Sequence, residues 1–143
     1  MTQEDKELLL KDLCARLPYG IKVGTTDNDD SLENVWDIYI LFNNTFDINV
    51  KLTHCFEDDD KLIDISEVKP YLFPLSSMTE EQKEEYVSLQ QRVIYNGQVL
   101  VNLDVMKYVD WCYKNHIDIN SLIPMNLAID ATELNIYYRR NRL

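Results

Sequence analysis

The feature that most constrains the fold is a run of alternating residues near the centre of the chain. Apolar side chains recur at every second position, with polar ones between them, at Phe46, Ile48, Val50 and Leu52. A period of two is typical of a strand with one face buried and the other in solvent. The preceding segment, 35–42, carries a similar apolar face. The two segments therefore predict a β-hairpin with one apolar face.

The register of this hairpin is predicted from the same face. A two-residue turn would set Ile40 opposite Asp47 and mix apolar with polar positions. Pairing Phe42 with Phe46 aligns Ile40 with Ile48 and keeps the apolar side chains together. A one-residue slip moves every side chain of a strand to the other face, so we expect the second register.

Helical patterns flank the hairpin on both sides. Leu9, Leu13 and Leu17 recur every fourth residue within 2–17, which predicts a helix with one apolar face. Thr79-Glu80-Glu81-Gln82 is a capping box that opens another helix. The predicted fold class is α+β, with an N-terminal helix, a small antiparallel sheet and C-terminal helices. Four short consecutive strands could also curl into a small SH3-like barrel.

A chain of 143 residues has the size of one domain, and we predict a single domain over 1–143. Its parts are a helix over 1–17, a β-rich acidic half over 20–68 and a mainly helical half over 79–143. Further predicted elements are an edge strand at 62–68, a helix at 103–115, a short turn of helix near 119–123 and a last strand within 127–138.

The formal net charge of −11 is concentrated in one region. The segment from Asp27 to Glu67 contains twelve acidic residues and only two basic ones, Lys51 and Lys61, which gives a net charge of −10. Such a surface repels nucleic-acid phosphates and anionic membranes, so neither is an expected partner. A basic protein is the partner that this charge favours. The candidate partner-binding residues are Asp27, Asp29, Asp30, Glu33, Asp58, Asp59 and Asp60.

Motifs for catalysis and cofactor binding are missing from the sequence. Its three glycines are too few and too scattered for a dinucleotide fingerprint or a P-loop. Neither the two histidines nor the three cysteines have the spacing of a zinc site. We therefore predict no catalytic residue, no metal ligand and no cofactor, and we expect the cysteines to be free buried thiols.

Two cysteine–histidine pairs are candidate catalytic dyads, and the sequence favours a structural interpretation of both. His54 and Cys55 are adjacent on a predicted strand, so their side chains point to opposite faces. Cys112 and His116 have the i, i+4 spacing of neighbours on a helix. Cys112 is expected on the packing face, however, and His116 at the helix end, where a histidine complements the dipole.

Three stretches of the chain carry a resemblance, and it covers about two-thirds of the length. They are Leu13 with Arg16–Gly20, the run from Val68 to Gln82, and Asp110-Trp111-Cys112 onward through Ile119, Leu122-Ile123 and Leu127–Ile129. These stretches resemble small hypothetical proteins of gut anaerobic bacteria, their mobile elements and their phages. The resemblance implies an accessory protein of a bacterium or phage, without implying an activity or a site.

The favoured hypothesis is a non-catalytic interaction protein that engages a basic partner through the acidic sheet region. One alternative is a small hydrolase or transferase whose site only the fold assembles. A second alternative is a self-associating structural protein. The polar, acidic start of the sequence is not typical of a secretory signal, so we expect a cytoplasmic location.

Overall fold

A computed structural model describes residues 1–26, 34–43, 48–54, 60–95, 101–134 and 136–137. Its helices are α1 (Gln3–Arg16), α2 (Glu80–Tyr95) and α3 (Val101–Lys114). Its strands are β1 (Lys22–Thr25), β2 (Trp36–Asn43), β3 (Ile48–His54), β4 (Asp60–Asp64), β5 (Val68–Leu72) and β6 (Ile129–Asp130). The predicted α+β class, with an N-terminal helix, a mostly antiparallel sheet and C-terminal helices, is confirmed.

Capping boxes open two of the helices. At α1 the backbone amide of Asp5 donates to Thr2 Oγ1 at 3.0 Å, and the amide of Thr2 donates to Asp5 Oδ2 at 3.2 Å. At α2 the amides of Gln82 and Thr79 make the same reciprocal bonds, at 3.1 and 3.0 Å. These bonds satisfy amides that have no partner inside the helix. Both helix starts agree with the prediction.

The six strands form one sheet in the order β4-β3-β2-β1-β5-β6. All described neighbours are antiparallel except β5 and β6, which pair in parallel through Tyr71 with Ile129 and Leu72 with Asp130. Over the described residues β4 and β6 are the two edges, so the sheet does not close into the SH3-like barrel considered from the sequence.

The predicted register of the hairpin is wrong. Ile38 pairs with Leu52, but after a bulge Ile40 pairs with Lys51 and Leu41 with Val50. A bulge adds one residue to one strand, so the alternation changes phase along β2. The predicted pair of Phe42 with Phe46 falls partly outside the described residues, and Phe42 pairs instead with Asn49.

Two other sequence-based boundaries also needed correction. The predicted strand at 62–68 is divided, because the 3-10 turn Ile65–Glu67 separates edge strand β4 from interior strand β5. Residues 119–123 form turns rather than helix. The predicted strand near the C-terminus is present as the short β6. Asp64 stabilises the 3-10 turn that separates β4 from β5, because its side chain accepts from the Ser66 amide at 3.0 Å and caps this turn.

The core lies between α1, the sheet and the chain that follows α3. Fully buried side chains come from each of these parts and from α3: Leu9, Leu13, Val23, Val50, Leu52, Leu72, Cys112, Ile117 and Leu122. Tyr71 and Phe73 are buried, whereas Leu75 of the same segment is exposed. Cys14 is exposed, contrary to the expectation of buried thiols, because it faces away from the side of α1 that buries Leu9 and Leu13.

Gly24 occupies a position in β1 where a larger residue does not fit. A Cβ there would lie 2.8 Å from Tyr71 Oη and 3.2 Å from Ile129 Cδ1. The Tyr71 hydroxyl donates to the Asn34 carbonyl at 2.9 Å, so the ring cannot move away without losing this bond. We expect Gly24→Ala to lower the free energy of unfolding by about 1–3 kcal/mol, measured by urea denaturation.

A double-mutant cycle separates this contact from other effects of the substitution. Tyr71→Phe removes the atom nearest to the new Cβ, so Gly24→Ala should cost less in that background. Equal losses in the two backgrounds would show that the Tyr71 hydroxyl is not the obstacle.

Candidate functional site

The C-terminal end of α3 places a histidine in an uncommon conformation. The Ile117 amide donates to the Cys112 carbonyl at 2.9 Å, and the His116 amide donates to the Tyr113 carbonyl at 3.1 Å. This pair of bonds is the Schellman motif, whose left-handed position is usually glycine. Here His116 holds that position, with φ of 59°. A side chain in this conformation costs about 1–2 kcal/mol.

Neighbouring backbone and an aromatic ring hold His116 in place. Its carbonyl accepts from the Phe73 amide at 2.9 Å, which ties it to the chain just after β5. Its imidazole stacks on the Tyr137 ring, with the centroids 3.9 Å apart and the planes 13° from parallel. The imidazole is therefore fixed between α3 and the C-terminal segment.

Tyr137 fastens that segment to the sheet. Its buried hydroxyl donates to the Tyr71 carbonyl at 2.7 Å and accepts from the Lys22 amide at 2.9 Å. Burial raises the pKa of Tyr137 well above its usual range, so the hydroxyl keeps its proton and can donate. Both contacts involve backbone groups of interior strands, which explains how a residue so near the chain end is held.

We expect Tyr137→Phe to lower the free energy of unfolding by about 1–3 kcal/mol, because it leaves two backbone groups without their partner. Tyr86→Phe is the matched control, since the Tyr86 hydroxyl makes one half-buried bond, to Tyr108 Oη at 3.0 Å. This control should cost about 1 kcal/mol or less by the same denaturation assay. A smaller loss for Tyr137→Phe than for Tyr86→Phe would contradict the anchoring role.

A cleft of about 700 Å³ opens beside this stack, and we call it the His116 cleft. Such a volume is typical of a small-molecule site. Its lining comes from the chain after α1, the start of β1, the chain after β5, the first turns of α2, the end of α3 and the C-terminal segment. The lining residues are Tyr19, Gly20, Lys22, Phe73, Thr79, Glu81, Gln82, Glu85, Lys114, Asn115, His116, Ile136 and Tyr137.

The two ring nitrogens of His116 differ in their surroundings. Nδ1 is buried and has no hydrogen-bond partner among the described residues. Nε2 is therefore the nitrogen open to the cleft. Burial, followed by the positive charges of Arg16 and Lys22, lowers the pKa of His116 to about 4. The imidazole is neutral near pH 7, so the expected favourable interaction of a charged His116 with the helix dipole is wrong.

A buried ion pair joins α1 to the chain that follows His116. The Arg16 guanidinium donates from Nε to Asp12 Oδ1 at 2.6 Å and from Nη2 to the Ile117 carbonyl at 2.8 Å. Asn120 donates to Asp12 Oδ2 at 2.8 Å. Both charged side chains are fully buried. The pair thus joins the last turn of α1 to the residue that follows His116.

The cysteine–histidine pair considered from the sequence does not form an activated thiol. His116 has left the helical conformation, so the i, i+4 alignment with Cys112 is lost. Burial raises the pKa of Cys112 to about 11, which keeps the thiol protonated. Cys55 of the other pair lies outside the described residues.

The acidic residues predicted to bind a partner lie elsewhere. Asp60 is the first residue of edge strand β4. Asp27, Asp29, Asp30, Glu33, Asp58 and Asp59 lie outside the described residues. The structure therefore leaves this predicted surface a prediction. Sequence reasoning missed the His116 cleft. Among its lining residues only His116 was a candidate for catalysis, and its position at a helix end favoured a structural role.

No group of three His, Cys, Asp or Glu side chains that could hold a metal occurs in the described part of the chain. In the same part, no helix combines the length and the apolar character needed to cross a membrane. No protein-family model, curated protein or solved structure matches this chain.

Proposed function

We propose that this protein is a non-catalytic binding protein and that the His116 cleft is its binding site. The observation that carries the proposal is the cost of keeping a histidine where α3 ends. The left-handed conformation disfavours a side chain, and the buried Nδ1 lacks a partner. Strained residues of this kind cluster at functional sites. A glycine would avoid both costs but would also lose the stack on Tyr137, and the imidazole that is kept instead lines the cleft.

Among the described residues, two other non-glycine residues have a positive φ, and neither lines the cleft. Asn126, like His116, is of a residue type that is enriched in this conformation. Ser121 is exposed, with φ of 57°, and makes no hydrogen bond through its side chain among the described residues. Ser121 therefore provides a matched backbone control for His116.

The chemistry of the cleft favours binding over catalysis. A histidine with a pKa of about 4 is a weak base near pH 7. Among the described lining residues, Thr79 carries the only aliphatic hydroxyl. This hydroxyl accepts from the Gln82 amide and so caps α2. These groups can orient a ligand, and neither is prepared to attack one.

Four related probes test the binding site: phenylalanine, its amide, its N-acetyl form and the form blocked at both ends. They share an aromatic side chain and differ in which of the two ends carries a charge. We expect at least one to shift the amide resonances of residues 114–117 in an NMR titration. His116→Gly should weaken that binding, whereas Ser121→Gly should leave it unchanged.

Stability measurements on the same variants complete the test. Ser121→Gly should raise the free energy of unfolding by up to about 1 kcal/mol, because it relieves the strained conformation. His116→Gly relieves the same backbone conformation but loses the stack on Tyr137. The two effects oppose each other, so the free energy of unfolding should change by no more than about 1 kcal/mol. If none of the four probes binds, or if His116→Gly binds them as tightly as the wild type, the proposal is wrong.

A second candidate function rests on the net charge of −10 over 27–67. We propose that this region attracts a basic protein. Captured partners should dissociate as salt is raised, because screening weakens the attraction between exposed charges. They should also bind less to a variant with Asn in place of Asp58, Asp59 and Asp60. Capture that depends on neither salt nor these residues would contradict this proposal.

A further inference from the structure

Four charged side chains line the His116 cleft, and two of them are already engaged. Lys22 Nζ contacts Asp37 Oδ1 at 2.5 Å. Glu85 Oε2 accepts from the Trp111 indole at 2.7 Å. These contacts neutralise or orient both groups, so a ligand would compete with an existing partner at each of them.

The remaining two charges are opposite in sign and unengaged. Lys114 is the last residue of α3, and Glu81 lies in the first turn of α2. Both are exposed, and neither has an ion-pair partner in the part of the chain that the structure describes. Their placement also suits the helix dipoles. The helix dipoles explain why these charges stand at the helix ends. Because both side chains also line the cleft, both are available to a ligand.

His116 adds a neutral hydrogen-bonding group to the lining that includes Lys114. A buried N–H without a partner is rarer than a buried lone pair without one. Because Nδ1 is the buried nitrogen, the proton is better placed on Nε2. Nε2 can then donate to a ligand, and the Lys114 ammonium group lines the same cleft. Two donors in one cleft, one of them charged, suit a carboxylate.

The apolar part of the lining suits an aromatic or aliphatic side chain. Phe73 and Tyr137 are buried with their ring centroids 5.8 Å apart, and Ile136 lies beside them. Clefts that combine an apolar wall with a few polar groups bind ligands that carry both apolar and polar groups. The volume of about 700 Å³ also leaves room for more than a single residue.

We infer that the His116 cleft takes a zwitterionic ligand, an amino acid or short peptide. Its carboxylate lies against Lys114 and His116, its ammonium group against Glu81, and its apolar side chain against the aromatic wall. This inference rests on the proposed function, because it names the ligand of the same cleft.

The four phenylalanine probes test the charge recognition directly. The unblocked amino acid should bind most tightly. Blocking either end should weaken binding by about two- to fivefold, as expected for an exposed ion pair, and blocking both ends should weaken it further. Dissociation constants come from the NMR titration of residues 114–117 at low salt.

Charge-neutral variants assign each end of the ligand to its residue. Lys114→Gln should bind phenylalanine and its amide equally, because the carboxylate has lost its partner. Glu81→Gln should bind phenylalanine and its N-acetyl form equally. Glu84→Gln and Lys83→Gln on α2 do not alter the cleft lining and should keep the wild-type order.

The outcomes separate this inference from the proposed function. If the doubly blocked probe binds in the cleft as tightly as phenylalanine, the zwitterion inference is overturned while the binding site stands. If no probe binds, both are overturned. A titration with the dipeptide alanyl-phenylalanine distinguishes a peptide ligand from a free amino acid. Tighter binding of the dipeptide indicates a peptide ligand, and tighter binding of phenylalanine indicates a free amino acid. Either preference supports the inference.

Discussion

Asp12→Ala is expected to destabilise the protein by about 3–5 kcal/mol, the largest effect that we predict for a single substitution. The variant leaves the Arg16 guanidinium buried without its counter-ion. Arg16 keeps only the Ile117 carbonyl at 2.8 Å and the face of the Tyr113 ring, 4.8 Å from the guanidinium carbon. Neither compensates a full charge removed from water. Urea denaturation followed by circular dichroism measures the loss.

Two comparisons make this prediction specific to burial. The exposed pair of Lys83 and Glu80, at 3.4 Å, is the control, and Lys83→Gln should cost about 0.5 kcal/mol or less. A double variant, Asp12→Leu with Arg16→Met, should lose less stability than Asp12→Ala, because no unpaired charge remains. A loss for Asp12→Ala as small as that of the exposed pair would show that Arg16 finds another partner or reaches solvent.

The second large effect is a loss of stability in mild acid that depends on His116. Its pKa is about 4 in the folded protein against an ordinary value of 6.5. Between these values the unfolded chain binds a proton that the folded chain does not. Stability from this residue is therefore present above pH 6.5 and is lost as the pH falls toward 4. At about pH 5 the expected loss is about 2 kcal/mol.

His116→Asn removes the titrating group and keeps a residue type that tolerates the left-handed conformation. Between neutral pH and about pH 5 this variant should lose about 2 kcal/mol less than the wild type. The charged or titratable groups near the imidazole are Arg16, Lys22 and Tyr137, and burial raises the pKa of Tyr137 far above this range. Identical pH profiles for His116→Asn and the wild type would refute the assignment.

The features that the sequence predicted well depend on residues close together in the chain. The capping box predicted at Thr79 with Gln82 joins residues three positions apart, and the structure has it; the capping box found at Thr2 with Asp5 has the same spacing. The end of α1 is equally local, because the 3-10 turn Leu17–Tyr19 leads to Gly20 in the left-handed conformation. The α+β class followed from the same short-range patterns.

Strand pairing was predicted less well because it depends on contacts between distant residues. Periodicity assigned the apolar positions of β2 and β3, but the bulge between Ile38 and Ile40 changed which residues pair. Nothing in the alternation of either strand marks that extra residue. Likewise, the parallel pairing of β5 with β6 joins residues nearly sixty positions apart.

The His116 cleft is the clearest case of a feature that only the tertiary structure determines. Its lining joins Tyr19, Glu81, His116 and Tyr137, which no spacing rule relates. The buried state of Nδ1 and the lowered pKa of His116 arise from packing against Tyr137 and from the nearby Arg16. A sequence shows that a histidine stands near a helix end. It does not show which partners surround the ring.

By itself, the sequence determined the helix starts, the amphipathic strands, the fold class and the concentration of acidic residues at 27–67. These are local or compositional properties, set by side chains and backbone within a few residues of one another. The tertiary structure alone decided the strand register, the burial of the Asp12–Arg16 pair and the His116 cleft. Each depends on long-range packing, which brings together residues from both ends of the chain and changes the cost of charge, strain and missing hydrogen bonds at the place where they meet.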